Sequence, residues 1–232
     1  MDSYQQFIHK SRYARYKPEL DRRESWDETV GRYFNFFENY LDVKIPAKVL
    51  TSVIDLNVMP SMRALMTAGK ALEKDHVAGY NCSYLPVNKP RAFDETLYIL
   101  MCGVGVGFSV ERQYIAQLPE IAEAFHNTET VITVRDSKTG WASAYKELIS
   151  MLFSGTVPSW DMSKIRPSGA PLVTFGGRAS GPEPLNRLFK VTVEVFRNAA
   201  GRKLTSIECH DLMNYIGEAV VVGGVRRTAE IS

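Results

Sequence analysis

Three glycines alternate with valine and phenylalanine in the segment M-C-G-V-G-V-G-F-S-V, at Gly103, Gly105 and Gly107. This alternation predicts a short, buried β-strand over residues 104–110. Glycine leaves the surface of a strand bare, which allows either close packing against a helix or close approach of a ligand to the backbone. The spacing is not G-x-G-x-x-G, so it does not support a dinucleotide-binding fold.

A cysteine, Cys82, lies about twenty residues before these glycines, in the polar sequence Y-N-C-S-Y. A free cysteine in a reducing compartment most often behaves as a small buried hydrophobe. The alternative is a redox thiol at the end of a strand, with the nearby glycines admitting a ligand. Reactivity depends on exposure and on the thiolate fraction, neither of which these residues reveal, so both interpretations stay open at this point.

The composition of the chain excludes several classes of protein. The chain has 232 residues and a formal net charge of +2, which gives no electrostatic case for nucleic-acid binding. Its three cysteines and four histidines lack the spacing of a disulfide framework or of a zinc site. No apolar run is long enough to cross a membrane, and the first residues lack a signal-peptide pattern. We therefore expect a cytoplasmic protein without a metal site of its own.

The first part of the chain predicts a helical region. Apolar residues recur at helical spacing from Trp26 to Leu41, with Ser25 and Glu28 placed to form a capping box. A second helix is predicted from Ala47 to Leu56. The preceding residues 3–24 are basic and aromatic. Such a segment is usually a solvated helix face or a flexible arm, and less often a phosphate contact.

The sequence M-P-S-M-R at residues 59–63 follows this helical region. The hydroxyl group of Ser61 and the guanidinium group of Arg63 are of the types that bind a phosphate. The same serine also suits the N-cap of a helix, which is the commoner role. The motif alone does not decide between these two roles.

Helices dominate the prediction for the rest of the chain. They are predicted over residues 92–102, 141–153, 185–200 and 206–219 from apolar periodicity and capping residues. Residues 114–133 contain Pro119 and the cluster His126-Asn127-Thr128 instead, which predict a loop or a short helix.

The segment from Lys164 to Leu185 has the most unusual composition. Its prolines and glycines rule out a continuous helix, whereas Val173 and Phe175 argue against a flexible linker. A rigid loop that presents amides and arginines to an anion fits this composition, and so does a plain structural loop. The last residues, V-V-V-G-G-V-R-R-T-A-E-I-S, predict a strand, a glycine turn with two arginines and a strand-like piece. We expect the fold to continue elsewhere, because this last strand is half-built.

Together these motifs resemble the N-terminal portion of the adenosylcobalamin-dependent ribonucleoside-triphosphate reductases, the monomeric type of class II ribonucleotide reductase. The likeness covers nearly the whole chain. It rests on N-C-S-Y at 81–84, G-V-G-V-G-F-S-V at 103–110, the run at 166–185 and I-G-E-A-V-V-V-G-G-V-R-R-T-A-E-I at 216–231. Because several long motifs occur in the same order, we interpret Cys82 as a redox thiol.

The resemblance implies an α/β fold: a helical region over residues 1–75, then the first half of a ten-stranded α/β barrel over residues 76–232. Cys82 would be one of the two cysteines that reduce the ribose and form a disulfide in each turnover. The implied substrate site contains Ser61, Arg63, Asn81, Ser83, Gly103, Gly105 and Gly107. Two implied specificity loops, which connect an effector nucleotide to the choice of base, contain Arg166, Gly176, Gly177, Arg178, Ser180, Gly223, Gly224, Arg226 and Arg227.

Several parts of this family have no counterpart in the sequence: the thiyl-radical cysteine, the second redox cysteine, most of the cobalamin site and the C-terminal cysteine pair. We therefore expect an N-terminal piece, either a natural split subunit or a truncated one, that is active only with a C-terminal polypeptide. The implied cofactor is adenosylcobalamin, bound mainly by that polypeptide. The implied partners also include a ribonucleotide, a deoxynucleotide effector and a thioredoxin-type reductant. The alternatives are a fragment of a class I reductase and a catalytically silent nucleotide-binding regulatory module.

Overall fold

The computed structural model describes residues 1–172, 178–220 and 229–232. It combines α-helices with β-strands, as the predicted α/β class requires. The chain divides into two compact units, one containing Met1–Asn81 and the other containing Cys82–Pro171 and Arg178–Ser232. Each unit has its own clusters of buried apolar side chains.

The first unit is mostly helical. Its first elements are helix α1 (Ser3–Ile8), a π-helical turn (His9–Tyr13) and the antiparallel strands β1 (Tyr16–Lys17) and β2 (Arg22–Arg23). Helices α2, α3, α4 and α5 follow at Trp26–Leu41, Ala47–Ile54, Met62–Thr67 and Lys70–Lys74. Helix α3 stops before the predicted Leu56, because that residue has a left-handed φ of 62°.

Helix α2 begins at the predicted capping box. The backbone N–H of Glu28 donates to Oγ of Ser25 at 3.2 Å, and the backbone N–H of Ser25 donates to the carboxylate of Glu28 at 2.7 Å. Val30 and Phe34, one turn apart, share a buried cluster with Leu65 of α4. The reciprocal cap, worth about 1 kcal/mol, thus fixes where an amphipathic helix starts.

The basic segment over residues 3–24 is anchored to the rest of its unit. Glu24 is buried and accepts hydrogen bonds from the backbone N–H of Arg15 at 3.0 Å and from Nε of Arg32 at 2.9 Å. The guanidinium of Arg32 also donates to the carbonyl oxygens of Leu65 and Ala68. Burial lowers the pKa of Arg15 to about 10. The alternative of a flexible arm is therefore wrong.

The second unit alternates strands and helices. Its elements are β3 (Cys82–Pro86), α6 (Arg91–Met101), β4 (Gly105–Ser109), α7 (Arg112–Ile115), β5 (His126–Thr133), α8 (Lys138–Phe153), β6 (Thr156–Asp161), α9 (Glu183–Asn198), α10 (Ser206–Ala219) and β7 (Glu230–Ile231). Two parallel sheets result, one with the strand order β3-β4-β7 and one formed by β5 and β6. The strand predicted at 104–110 and the four predicted helices are present, with their ends shifted by a few residues.

Strand β5 contradicts the prediction of a loop or short helix at residues 114–133. His126–Thr133 pairs in parallel with Thr156–Asp161, with an irregularity in register between Asn127 and Val131. Ile132 is the single fully buried residue of this strand. The strand therefore lacks the apolar alternation by which a strand is recognised in a sequence.

The core of the second unit is built largely from the helices that pack on its sheets. Among its largest fully buried side chains are Tyr145 of α8 and Phe189 of α9. The Tyr145 hydroxyl lies 3.1 Å from that of Thr192, so the polar atom of this buried ring has a partner. In the described part of the chain, no helix combines the length and the apolar character needed to span a membrane.

Candidate functional site

Cys82 is the first residue of β3, at the amino end of the three-stranded sheet. It is the register partner of Gly105 in the parallel pair β3–β4, so the cysteine motif and the glycine motif lie side by side. The Cys82 side chain is exposed, whereas Cys102 and Cys209 are buried. The structure therefore favours an accessible thiol at Cys82 over a small buried hydrophobe.

The β3-β4-β7 sheet has two unlike faces, because side chains alternate between the faces along each strand. One face carries Cys82 and Tyr84 of β3, Gly105 and Gly107 of β4 and Ile231 of β7. We call it the open face, since Tyr84 is 62% exposed and Ile231 is 74% exposed. The thiol thus shares its face with two residues that have no side chain.

The opposite face, which we call the covered face, carries Val106 and Phe108, both buried in the core. Helix α10 packs on this face, where the ring of His210 lies 5.8 Å from that of Phe108. Ser83 belongs to the same face by alternation, and its Oγ donates a 3.0 Å hydrogen bond to the carbonyl oxygen of Gly105. Ser83 therefore ties β3 to β4, and its role at the sugar stays a prediction.

A hollow lies over Gly107 on the open face. A methyl group at this position would be 3.7 Å from Cδ2 of Tyr84 and 3.7 Å from Cγ2 of Ile231, so these two side chains form its walls. Loss of solvation, followed by the neighbouring Tyr114 hydroxyl, raises the pKa of Tyr84. The hollow has room for about one methyl group, and Gly107 beneath it is half-buried, so its backbone is partly accessible on the face of Cys82.

Gly103 has a conformational purpose instead. It follows α6 directly and has a φ of 77°, a left-handed value that glycine adopts without a steric penalty. The turn at Gly103 lets the chain leave α6 and enter β4 within a few residues. Substrate contact by Gly103 remains a prediction.

Three of the predicted substrate residues belong to the first unit. Ser61 is exposed and stands at the N-cap position of α4, but its hydroxyl makes no capping hydrogen bond. Arg63 is 3% exposed and interacts with other groups of the chain, so its guanidinium is not presented to solvent. Asn81 is exposed and directly precedes Cys82. The substrate roles of all three stay predictions.

The first predicted specificity loop has a narrow antiparallel stem. The backbone N–H of Gly169 donates to the carbonyl of Ala179 at 2.9 Å, and that of Ala179 donates to the carbonyl of Ala170 at 2.8 Å. Pro171 and Arg178 form an isolated bridge next to these bonds. The stem brings residues 169–171 against residues 178–180, so the composition rich in glycine and proline forms an ordered loop base.

The polar side chains of this stem are bound locally. Nε of Arg166 donates to the carboxylate of Asp136 at 2.7 Å, and the guanidinium of Arg178 donates to the carbonyl of Gly169 at 2.9 Å. Oγ of Ser180 donates to the Gly181 carbonyl at 3.3 Å. The other predicted loop residues lie outside the described residues: Gly176, Gly177, Gly223, Gly224, Arg226 and Arg227.

Glu230 is a half-buried acid that the sequence analysis missed. It is in register with Val106 of β4, so its side chain points to the covered face. Its Oε1 is buried and has no hydrogen-bond partner within the described part of the chain, and burial raises the pKa of Glu230 to about 7. A methyl group at Gly217 of α10 would overlap this carboxyl group. Gly217 is thus the notch into which Glu230 fits.

The described residues offer no evident metal centre: no three His, Cys, Asp or Glu side chains among them lie close enough together to hold an ion. The site itself presents an exposed thiol beside the glycines of β4. An exposed thiol can be oxidised to a disulfide by a second thiol brought to it.

Comparisons with known proteins show which family the chain resembles. Residues 110–196 match the family model "B12-dependent ribonucleotide reductase, insertion domain". The chain is 31% identical over 299 residues to the adenosylcobalamin-dependent ribonucleoside-triphosphate reductase of Lactobacillus helveticus and 30% identical over 295 residues to that of Lactobacillus leichmannii. A crystal structure of a B12-dependent (class II) ribonucleotide reductase matches with a TM-score of 0.80 at 27% identity.

These matches cover 97% of this chain, but only 40% of each reductase sequence and 41% of the crystal structure. The chain thus spans about 40% of the length of the curated relatives it matches. The aligned stretch in L. helveticus is longer than the 232 residues of this chain, so the relative carries inserted residues within the matched region. The resemblance inferred from the motifs and the α/β class are confirmed, whereas the ten-stranded barrel stays a prediction.

Proposed function

We propose that this chain, a relative of the class II ribonucleotide reductases over about 40% of their length, is the part of such an enzyme that holds the ribonucleotide and supplies one reducing thiol. The observation that carries the proposal is the exposed Cys82 beside the bare glycine strand. That pair of features lies within a match that extends over 97% of the chain.

Reduction of a ribose consumes two thiols. In the proposed reaction the 2′-hydroxyl leaves as water, two thiols become one disulfide, and two electrons pass to the nucleotide. Cys82 is one of the two thiols, and the chain has two further cysteines, Cys102 and Cys209, which are both buried. Burial also raises the pKa of Cys209 to about 12. In this proposal the second thiol and the radical-bearing cysteine belong to the C-terminal portion of the enzyme, supplied by a partner polypeptide or by a continuation of this chain.

The open face receives the nucleotide in this proposal. Gly105 and Gly107 allow the sugar to approach the backbone beside Cys82, and the stem that holds Arg166 and Arg178 presents the first specificity loop. An effector deoxynucleotide at this loop would bias the choice of base. We infer a ribonucleoside triphosphate as substrate, because the relatives are named for triphosphate reduction. The cytoplasm stays the expected site of action.

Adenosylcobalamin, when bound, supplies the radical that starts such chemistry. The resemblance assigns most of the cobalamin site to the part of the enzyme that follows this chain, and we derive no step through the cofactor. The tasks of this chain are to bind the nucleotide, to orient the ribose and to deliver one thiol hydrogen.

The test is reduction of a ribonucleoside triphosphate by this chain with adenosylcobalamin and a dithiol, alone and mixed with a polypeptide that carries the remainder of a class II reductase. We expect deoxynucleotide only in the mixture. Cys82→Ser should abolish that product while leaving nucleotide binding by this chain within about twofold, because serine preserves the shape of the site but forms no disulfide.

Cys209→Ala is the matched control, since it also removes a thiol but from the buried side of α10. It should retain product formation once circular dichroism shows that the variant is folded. Nucleotide binding without product in any mixture would favour the regulatory module, and product formation independent of adenosylcobalamin would favour the class I alternative. Full activity of Cys82→Ser would remove the central role proposed for the thiol.

A further inference from the structure

We propose that Glu230 is a positioning residue: its carboxyl group, seated in the notch at Gly217, holds β7 on β4 and thereby sets where Ile231 stands on the face of Cys82. The inference concerns the geometry beside the thiol and does not depend on the reductase chemistry. It connects two motifs, I-G-E-A at 216–219 and T-A-E-I at 228–231, through a contact that neither motif reveals by itself.

The attachment of β7 is slight. Within the described residues it pairs with β4 over two positions, Val106 with Glu230 and Gly107 with Ile231. The backbone N–H of Val106 donates to the carbonyl oxygen of Ala229 at 2.9 Å. Two paired residues make a marginal strand, so side-chain packing must contribute much of what keeps β7 in place.

The notch supplies that packing on the covered face. The Glu230 carboxyl lies so close to Gly217 that a methyl group there would force the carboxyl group to move. A glycine inside a helix costs roughly 1 kcal/mol relative to alanine, so its presence in α10 calls for such a steric reason. The carboxyl group therefore locks β7 to α10, and α10 is in turn packed into the core through Leu212, Met213 and Ile216.

The lock has an effect on the opposite face, because successive residues of a strand point to opposite sides. When Glu230 is seated, the next residue, Ile231, is placed over Gly107, with its Cγ2 3.7 Å from the position of a methyl group there. Release of Glu230 would move that wall away from the hollow. One half-buried acid on the covered face thus controls the position of Ile231 on the open face.

The lock depends on protonation, because one oxygen of the seated carboxyl is buried and has no hydrogen-bond partner among the residues that the structure describes. Strand β4 carries no ionisable side chain. The acidic and basic groups of α10 are engaged elsewhere: Glu208 with Arg202, Glu218 with Arg187, and His210 with Asp211. Burial is accordingly the cause that raises the pKa of Glu230.

The direction of the pH effect follows from that raised pKa. Burial favours the neutral acid in the seated state, so seating is strongest below the ordinary glutamate pKa of about 4.5 and is lost as the pH rises through about 7. A rise in pH therefore releases the Glu230 carboxyl group from the notch at Gly217. This is the reverse of the behaviour of a salt-bridged carboxylate.

The test follows two residues of this chain, Ile231 and Val106, by NMR between pH 5 and pH 9. We expect the Ile231 methyl resonances to shift with a midpoint near pH 7, and the Val106 amide to exchange with solvent about three- to tenfold faster above the midpoint. The exchange rates are first corrected for base catalysis. Glu230→Gln should abolish the titration and keep the resonances near their low-pH positions, because the amide is a neutral shape-mimic of the acid.

Two further variants make the outcome decisive. Gly217→Ala should displace Ile231 at every pH, whereas Glu218→Gln should titrate like the wild type, because Glu218 is an exposed acid on the same helix, paired with Arg187 at 2.7 Å. A flat wild-type curve, or an unchanged midpoint in Glu230→Gln, would overturn the inference. Amides of the core helix α8 serve as the internal check, since their exchange should not respond to any of these changes.

Discussion

The two faces of the β3-β4-β7 sheet are built from the same strands yet differ in almost every property. The covered face buries Val106 and Phe108 under α10, and even its acid, Glu230, is fitted into a notch. The open face carries an exposed thiol, two glycines and the exposed side chains of Tyr84 and Ile231. The difference teaches that strand alternation lets one side fix the position of the backbone while the other side stays bare.

The largest expected difference between the two sides is in thiol reactivity. Cys82 is exposed on the open face, whereas Cys209 lies on α10, the helix of the covered side, with a pKa of about 12. At pH 8 such a pKa leaves a thiolate fraction of about one in ten thousand. We expect iodoacetamide to alkylate Cys82 at least about a hundredfold faster than Cys209, as followed by mass spectrometry of peptides.

Urea provides the control for that measurement. In the unfolded chain both thiols should react at similar rates, because the burial that separates them is gone. Comparable rates in the folded chain would show that the covered side opens often enough to expose α10. The contrast between the faces would then be one of degree only.

The second prediction compares stability across the two faces. Phe108→Ala should lower the free energy of unfolding by about 3–5 kcal/mol, because a fully buried ring leaves a cavity next to α10. Tyr84→Ala, on the open face, should change it by less than about 0.5 kcal/mol, since that ring is mostly in solvent. Urea denaturation of both variants, followed by circular dichroism, gives the two values.

A large loss in Tyr84→Ala would contradict the comparison, because it would mean that the open face is also part of the packed core. A small loss in Phe108→Ala would mean that α10 collapses into the vacated space. Either result would change which face is regarded as the scaffold of the site.

Local signals in the sequence were enough to predict much of this fold. Ser25 with Glu28 marks the start of α2, and the alternation around Gly105 marks β4, because capping and strand periodicity are properties of neighbouring residues. Strand β5 was missed because Ile132 is its single fully buried residue, so the strand shows no alternation of apolar and polar residues. Its pairing with β6 depends on a crossover through α8, which adjacent residues do not encode.

The candidate site was predicted in part. The motifs around Cys82 and Gly105 were identified in the sequence. That these two residues are register partners depends on the pairing of β3 with β4, which only the fold shows. Tyr84 was missed even though its spacing from Cys82 puts both on one face of a strand. Glu230 was missed because the glycine that accommodates it lies in another element. Spatial partners of this kind leave no periodic signal in a single sequence.

The smallest expected effect comes from a pair of glycines, one on each side of the sheet. At Gly107 a methyl group would meet its neighbours at 3.5–3.7 Å, which is ordinary van der Waals contact. Gly107→Ala should therefore be neutral or should stabilise the chain by roughly 0.4–1 kcal/mol, because alanine restricts the unfolded state. Gly217→Ala should destabilise it by about 1–3 kcal/mol despite the better helix propensity of alanine, since the methyl group displaces Glu230.

Urea denaturation of the two variants shows why glycine occupies each position. Either a side chain would not fit there, or glycine is needed for its backbone conformation. If Gly107→Ala destabilises the chain by more than about 1 kcal/mol, the hollow is already filled and the open face is not bare. If Gly217→Ala proves neutral, Glu230 finds another seat at little cost. The double variant Gly217→Ala with Glu230→Ala should recover most of the loss, because removing the carboxyl restores room for the methyl group. Recovery of this kind would show that the covered face acts on β7 through a single steric contact.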